Sequence, residues 1–171
     1  MSTLVFLNTL YETLSFPRKF WPLYQRTRGC CLKSPYLFDE VIIGIGINSK
    51  KQGLFSTENK VAHITALFEN HTRIQVRTFQ KLTVEFCKDL HASHIVRGLR
   101  DGKDFEYERT IAHMNHSISG IETVFFLTNQ EHSAINSSII REMYLNGADI
   151  SPFVTRPDLL VWHTWTQDYC C

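Results

Sequence analysis

From residue 38 onward the chain alternates two hydrophobic periods, and this alternation restricts the fold more than any other feature. The run 41–47, Val-Ile-Ile-Gly-Ile-Gly-Ile, is short and apolar, which predicts a buried strand. Segment 56–68 has helical spacing, with Ser56 or Thr57 to cap it and Glu58 adding negative charge in the first turn. Segment 74–79 alternates and is β-branched, so it reads as a second strand. A short helix over 83–91 would bury Val84, Phe86, Cys87 and Leu90. A strand over 93–96, a helix over 104–116 and a strand over 122–127 follow, then a helix over 136–145 closed by Asn146-Gly147. Strands and helices alternating through short connections predict an α/β fold, a parallel sheet flanked by helices on both faces. Ligands of such sheets bind beyond the carboxyl ends of the strands. The informative polar residues fall there, in 48–51, 97–100 and 128–138.

A chain of 171 residues suits one domain spanning 1–171 with one core. The formal net charge of +1 gives no reason to expect nucleic acid or a membrane surface as partner. No apolar run is long enough to span a bilayer. The start, 1–14, lacks a basic region and a small-residue cleavage site, so a cytoplasmic protein is expected. The cysteines at 30–31 and 170–171 are adjacent pairs without C-x-x-C spacing, and Cys87 stands alone, so all read as free thiols rather than a metal site. Two stretches resist reading. Segment 1–36 shows no period and carries Pro17, Pro22 and Pro35, and 155–171 holds Trp162, Trp165 and Cys170-Cys171 without a helical or strand pattern.

Several short motifs admit both a chemical and a plain structural reading. Gly44-x-Gly46 lies inside a strand and lacks the third glycine of a dinucleotide fingerprint, so close backbone packing explains it better. In Arg97-Gly98-Leu99-Arg100 the glycine would let the backbone turn tightly so that two guanidinium forks face one anion; the alternative is a solvated charged turn. Asp104-Phe105-Glu106-Tyr107-Glu108 opens a helix, and its acids read as compensation of the helix dipole beside a buried aromatic. Ser133-Ala134-Ile135-Asn136-Ser137-Ser138 precedes a helix, either as an anion site or as ordinary capping. Lys51 is a phosphate ligand or a surface lysine. The eight histidines lack metal-ligand spacing, and most read as surface or packing residues. Taken together, a lysine, two arginines and a serine-rich helix start around one cleft favour phosphate chemistry.

The stretch 38–154 resembles the phosphopantetheine adenylyltransferases of the nucleotidyltransferase superfamily. The resemblance rests on Ile95-Val96-Arg97-Gly98-Leu99-Arg100, Asp104-Phe105-Glu106-Tyr107-Glu108 and Ala112-His113-Met114-Asn115. Asn136-Ser137-Ser138-Ile139-Ile140-Arg141 is similar to the family's second nucleotide motif, with asparagine where serine is usual, and Leu82-Thr83-Val84 matches a segment lining the pantetheine pocket. The resemblance implies a Rossmann-like fold and a reaction in which the phosphate of 4′-phosphopantetheine attacks the α-phosphate of ATP, with Mg2+ assisting. It implies that Lys51 and Arg97 hold phosphopantetheine with Thr83 beside its arm. Gly98, Leu99, Arg100 and Glu108 contact ATP, as does the loop His132, Ser133, Ala134, Ile135, Asn136, Ser137 and Ser138. Lys51 and Arg100 supply catalytic charge, no protein metal ligand is required, and the assembly is a cytoplasmic homohexamer.

The family opens with Phe-Pro-Gly-(Ser or Thr)-Phe-Asp-Pro and a Gly-His pair a few residues on. This chain has Phe16-Pro17-Arg18-Lys19-Phe20-Trp21-Pro22, with Lys19 and Thr27 at the positions of the phosphate-binding hydroxyl and the histidine. A first strand and its nucleotide turn are therefore not legible. A one-base slip in the coding sequence would account for the departure. Codons can be assigned to 16–28 that, read one base later after Pro17, give Phe-Pro-Gly-Ser-Phe-Gly-Pro-Phe-Ile-Lys-Gly-His; glycine there replaces the family's aspartate. Two other readings are weighed. One is an impaired homologue that only binds phosphopantetheine or coenzyme A, favoured by Lys19 and Thr27. The other is an adenylyltransferase for a different acceptor such as nicotinamide mononucleotide, disfavoured by the 97–115 string.

Overall fold

Five short runs rich in aliphatic and β-branched residues pair side by side into one parallel sheet in the computed structural model, which describes residues 3–7, 25–47, 56–99, 101–127 and 137–159. The strands are β1 (Thr3–Leu7), β2 (Glu40–Gly46), β3 (Ile74–Phe79), β4 (His94–Leu99) and β5 (Glu122–Leu127), in the order β3-β2-β1-β4-β5. The helices are α1 (Gln25–Lys33), α2 (Thr57–Leu67), α3 (Thr83–Asp89), α4 (Gly102–Ser119) and α5 (Ser137–Leu145).

The chain runs outward from β1 through β2 to β3, then returns across the sheet to β4 and β5. Right-handed crossovers in the two directions put their helices on opposite faces. Packing bears this out. Val41, Ile43, Ile45 and Val96 of the sheet meet Cys30 and Cys31 of α1, Ile64 of α2 and Ile140 of α5 in one apolar cluster. Ile42, Phe79 and Ile95, pointing the other way, meet Phe86 and Cys87 of α3. The rings of Phe79 and Phe86 stack at 4.4 Å and 10°. Consecutive side chains of a strand alternate between faces, so Arg97 points to the α3–α4 side.

The expected α/β architecture is therefore present, and three local readings need correction. First, 1–36 is not without structure. Thr3–Leu7 occupies the centre of the sheet, with five residues in register with β2 and three with β4, and α1 follows at 25–33. A run of five residues, Thr-Leu-Val-Phe-Leu, is too short for any period to show as a strand on its own, yet a central strand needs only that much. Second, the strand expected over 93–96 runs on to Leu99, because Arg97, Gly98 and Leu99 pair with Phe125, Phe126 and Leu127. Gly98 is thus extended strand backbone rather than a tight turn. Third, the aromatics opening α4 are not buried: Phe105 and Tyr107 are exposed, and α4 has no fully buried residue. Phe105 instead lies edge-on against Phe125 at 5.8 Å. Among the histidines, His63 is a packing residue of the core. It is fully buried in α2, with Nε2 donating to the carbonyl of Thr155 at 2.9 Å.

Candidate active site at the carboxyl end of β4

The sheet reverses its direction of growth between β1 and β4, and in such folds the crevice opens at that switch point, beyond the carboxyl ends of the two strands. β4 borders this crevice. Among the described residues its register with β1 reaches Val96, and its ladder with β5 continues to Leu99.

Arg97 is held there by an ion pair. Its Nε donates to Oε2 of Glu108 at 2.8 Å and its Nη2 to Oε1 at 2.6 Å, a fork-to-fork arrangement. The two side chains are only 16% and 14% exposed, so solvent screens the pair poorly. Glu108 reaches Arg97 because α4 starts at once after the strand. Asp101 caps the helix, its Oδ1 accepting from the backbone N–H of Asp104 at 2.9 Å. Glu108 then stands in the second turn, above β4. Phe125, the register partner of Arg97, is covered by Phe105 from the same helix.

Thr83 opens α3, on the same side of the sheet, half-buried. The helix start is fixed by Glu85, whose carboxylate accepts from the backbone N–H of Leu82 at 3.3 Å. Leu82 itself is exposed. Lys81 forms an ion pair with Asp89, which ties the start of the helix to its end.

Of the sequence-predicted site, the structure therefore brings Arg97, Gly98, Leu99 and Glu108 together at the end of β4 and places Thr83 on the same face. Lys51, Arg100, His132, Ser133, Ala134, Ile135 and Asn136 lie outside the described residues, as does the segment with Lys19. Ser137 and Ser138 are the first two residues of α5, as expected of a helix start. The pairing of Arg97 with Glu108 was not anticipated: the two had been assigned to different substrates. Its signal is the eleven-residue spacing that joins a strand end to the second turn of the next helix. Among the described residues no group of three or more His, Cys, Asp or Glu stands together to hold a metal ion.

Comparison with known proteins places this geometry. The Cytidylyltransferase-like family matches residues 33–143, which include the whole β4–α4 unit. The phosphopantetheine adenylyltransferase of Flavobacterium psychrophilum is 42% identical over 81% of this chain and 92% of its own length. That of Porphyromonas gingivalis is 43% identical over 81% and 91%, and that of Christiangramia forsetii 35% identical over 85% and 95%. The chain belongs to the phosphopantetheine adenylyltransferase family. In this chain the Arg97–Asn115 string spans the end of β4 and most of α4.

Proposed function

We propose that the protein transfers the adenylyl group of ATP to the phosphate of 4′-phosphopantetheine, releasing pyrophosphate and forming dephospho-coenzyme A, a step of coenzyme A biosynthesis. One observation carries this reading. Relatives named for that activity share about two fifths of their residues with this chain over nearly their whole length.

The chemistry asks little of the protein beyond placement and charge. The attacking phosphate oxygen is already anionic, so no general base is needed. The barrier is lowered by aligning the two phosphates and stabilising the charge that builds between them. In this reading Arg97 and Lys51 hold the phosphopantetheine phosphate, and Thr83 lies beside its arm. Gly98, Leu99, Arg100 and Glu108 line the ATP side with the loop 132–138. Lys51 and Arg100 add positive charge where it is needed. Mg2+ enters on the triphosphate, since this ion keeps waters and substrate phosphates as ligands and does not need a protein cage. When bound it neutralises phosphate charge. The working assembly is a cytoplasmic homohexamer.

Pyrophosphate release tests the assignment when measured with ATP and, in turn, 4′-phosphopantetheine and nicotinamide mononucleotide as acceptor. Release with the first alone supports it. Release with the second alone would replace the acceptor, and calorimetric binding of phosphopantetheine without release would make the protein a binder.

A further inference from the structure

We propose that residues 150–159 form a strap that His63 clasps to α2, and that protonation of this histidine releases the strap while the sheet stays folded. The strap returns across the face of the sheet that carries α1, α2 and α5, where Ile150 and Val154 sink into the same apolar cluster as Ile64. It contains two single turns, Ser151–Phe153 and Pro157–Leu159, rather than a strand or a full helix. Phe153 donates to the carbonyl of Ile150, Val154 to that of Ser151 and Leu159 to that of Arg156, all bonds within the strap. Such a segment can leave without breaking a sheet or helix ladder.

The bond from His63 Nε2 to the Thr155 carbonyl, at 2.9 Å, joins strap to helix across 92 positions of sequence. Arg156, the next residue, has φ of +50°, a left-handed backbone that a residue with a side chain adopts only when its surroundings hold it there. The clasping ring is fully buried. Protonation would leave the bond to Thr155 in place, since Nε2–H donates in either state, but it would put a charge where water does not reach. The charged groups facing the ring come from the strap. Asp158 favours the charge and Arg156 opposes it, and the two are forked together at 2.8 and 3.0 Å, so the pair gives the ring little net help. On α2, Glu58 and Lys60 act on each other, and Glu69, past the end of the helix, acts on Arg156. The elements packed around the cluster add the thiols of Cys30 and Cys31 and the phenol of Tyr144. Once the strap has left, the ring meets water and takes a proton at its ordinary value near 6.5. Docking is therefore complete above that pH, and below it the open fraction rises by up to about tenfold per pH unit.

Hydrogen exchange of the full chain, read by mass spectrometry where exchange reports the opening equilibrium and corrected for its intrinsic pH dependence, tests the proposal at pH 7.5 and 5.5. Peptides covering 150–159 are compared with peptides from β2, in the wild type and in His63→Gln, whose amide can still donate to Thr155 but never charges. The wild-type strap is expected to exchange faster than β2 at both pH values and to lose about tenfold of its protection at the lower one. In His63→Gln that loss is expected to be less than about twofold. Arg156→Asn, at an exposed position and with a residue that tolerates the left-handed backbone, frees Asp158 to face the ring. Its strap is expected to lose less protection than the wild type, and this variant decides the matter should His63→Gln not fold. Strap and β2 exchanging alike, a wild-type strap indifferent to pH, or a pH effect undiminished in His63→Gln or in Arg156→Asn would each overturn the proposal.

Discussion

At the residue scale, burial sets the chemistry of the thiols and of one histidine. Burial pushes the Cys87 thiol up to about 12, and it raises Cys31 well above the usual thiol range, with neighbouring Cys30 adding to the effect. Since the thiolate is the reactive form, neither should react with iodoacetamide at pH 8 in the native protein, and both should label in urea; peptide mapping of the labelled protein checks this. His63 is lowered, chiefly by desolvation, from its ordinary value near 6.5. Its Nε2–H is committed to the Thr155 carbonyl, and its Nδ1 is buried with no partner among the described residues. Nearby Arg156 and Asp158 are paired with each other at 2.8 Å and respectively oppose and favour a positive ring. The folded-state value lies below the unfolded one. The contribution is therefore complete above pH 6.5 and declines as pH falls below it, because the unfolded chain gains a proton that the folded one resists. Urea unfolding at pH 7.5 and 5.5 should show a loss for the wild type that is smaller for His63→Gln. The burial of Cys87 was expected from the spacing of its helix, whereas that of His63 was not legible beforehand. The eight histidines look alike in sequence, and only the return of residue 155 across α2 distinguishes His63.

At the scale of elements, two glycines separate conformational from packing effects. Gly120 ends α4 with φ of +71° and has open space where a side chain would project. Gly120→Ala should destabilise by about 1 kcal/mol, from backbone strain alone. Gly102, the first residue of α4, also has open space but no left-handed backbone. Gly102→Ala should be neutral or stabilise by up to about 1 kcal/mol. Chemical denaturation of the two variants tests both signs. Helix α2 shows what sequence does reveal: Ser56 caps it as expected, its Oγ accepting from the N–H of Asn59 at 3.1 Å. β3 and β5 fall on their expected residues, because β-branched runs bounded by polar residues leave little freedom. β4 was misjudged because arginine and glycine are poor strand formers. Register with β5 overrides that preference once Leu99 has Leu127 to pair with.

At the scale of the whole molecule, the sheet topology explains how a legible middle and an illegible start combine. The alternation from 38 to 154 specifies four strands and their helices, but the centre of the sheet comes from 3–7, far from its partners in sequence. The site follows the same division. Arg97, Gly98, Leu99 and Glu108 could be singled out together because their motif is contiguous, whereas the bond between Arg97 and Glu108 depends on how α4 folds back over β4. The departure at Lys19 and Thr27 bears on rate. Loss of one positioned transition-state donor typically costs a hundred- to a thousandfold, so this chain should turn over slower by about that factor than the Flavobacterium psychrophilum relative assayed beside it. Sequencing the gene across codons 10–40 should show a single-base difference that restores Pro-Gly-Ser-Phe and Gly-His; an unchanged frame would mean that the motif is absent from the gene. The most direct test of adenylyl transfer is mass-spectrometric detection of dephospho-coenzyme A after incubating the purified protein with ATP, Mg2+ and 4′-phosphopantetheine. Formation of that product in step with pyrophosphate, above the enzyme-free background, is the predicted result; both ligands bound and no product formed would contradict it.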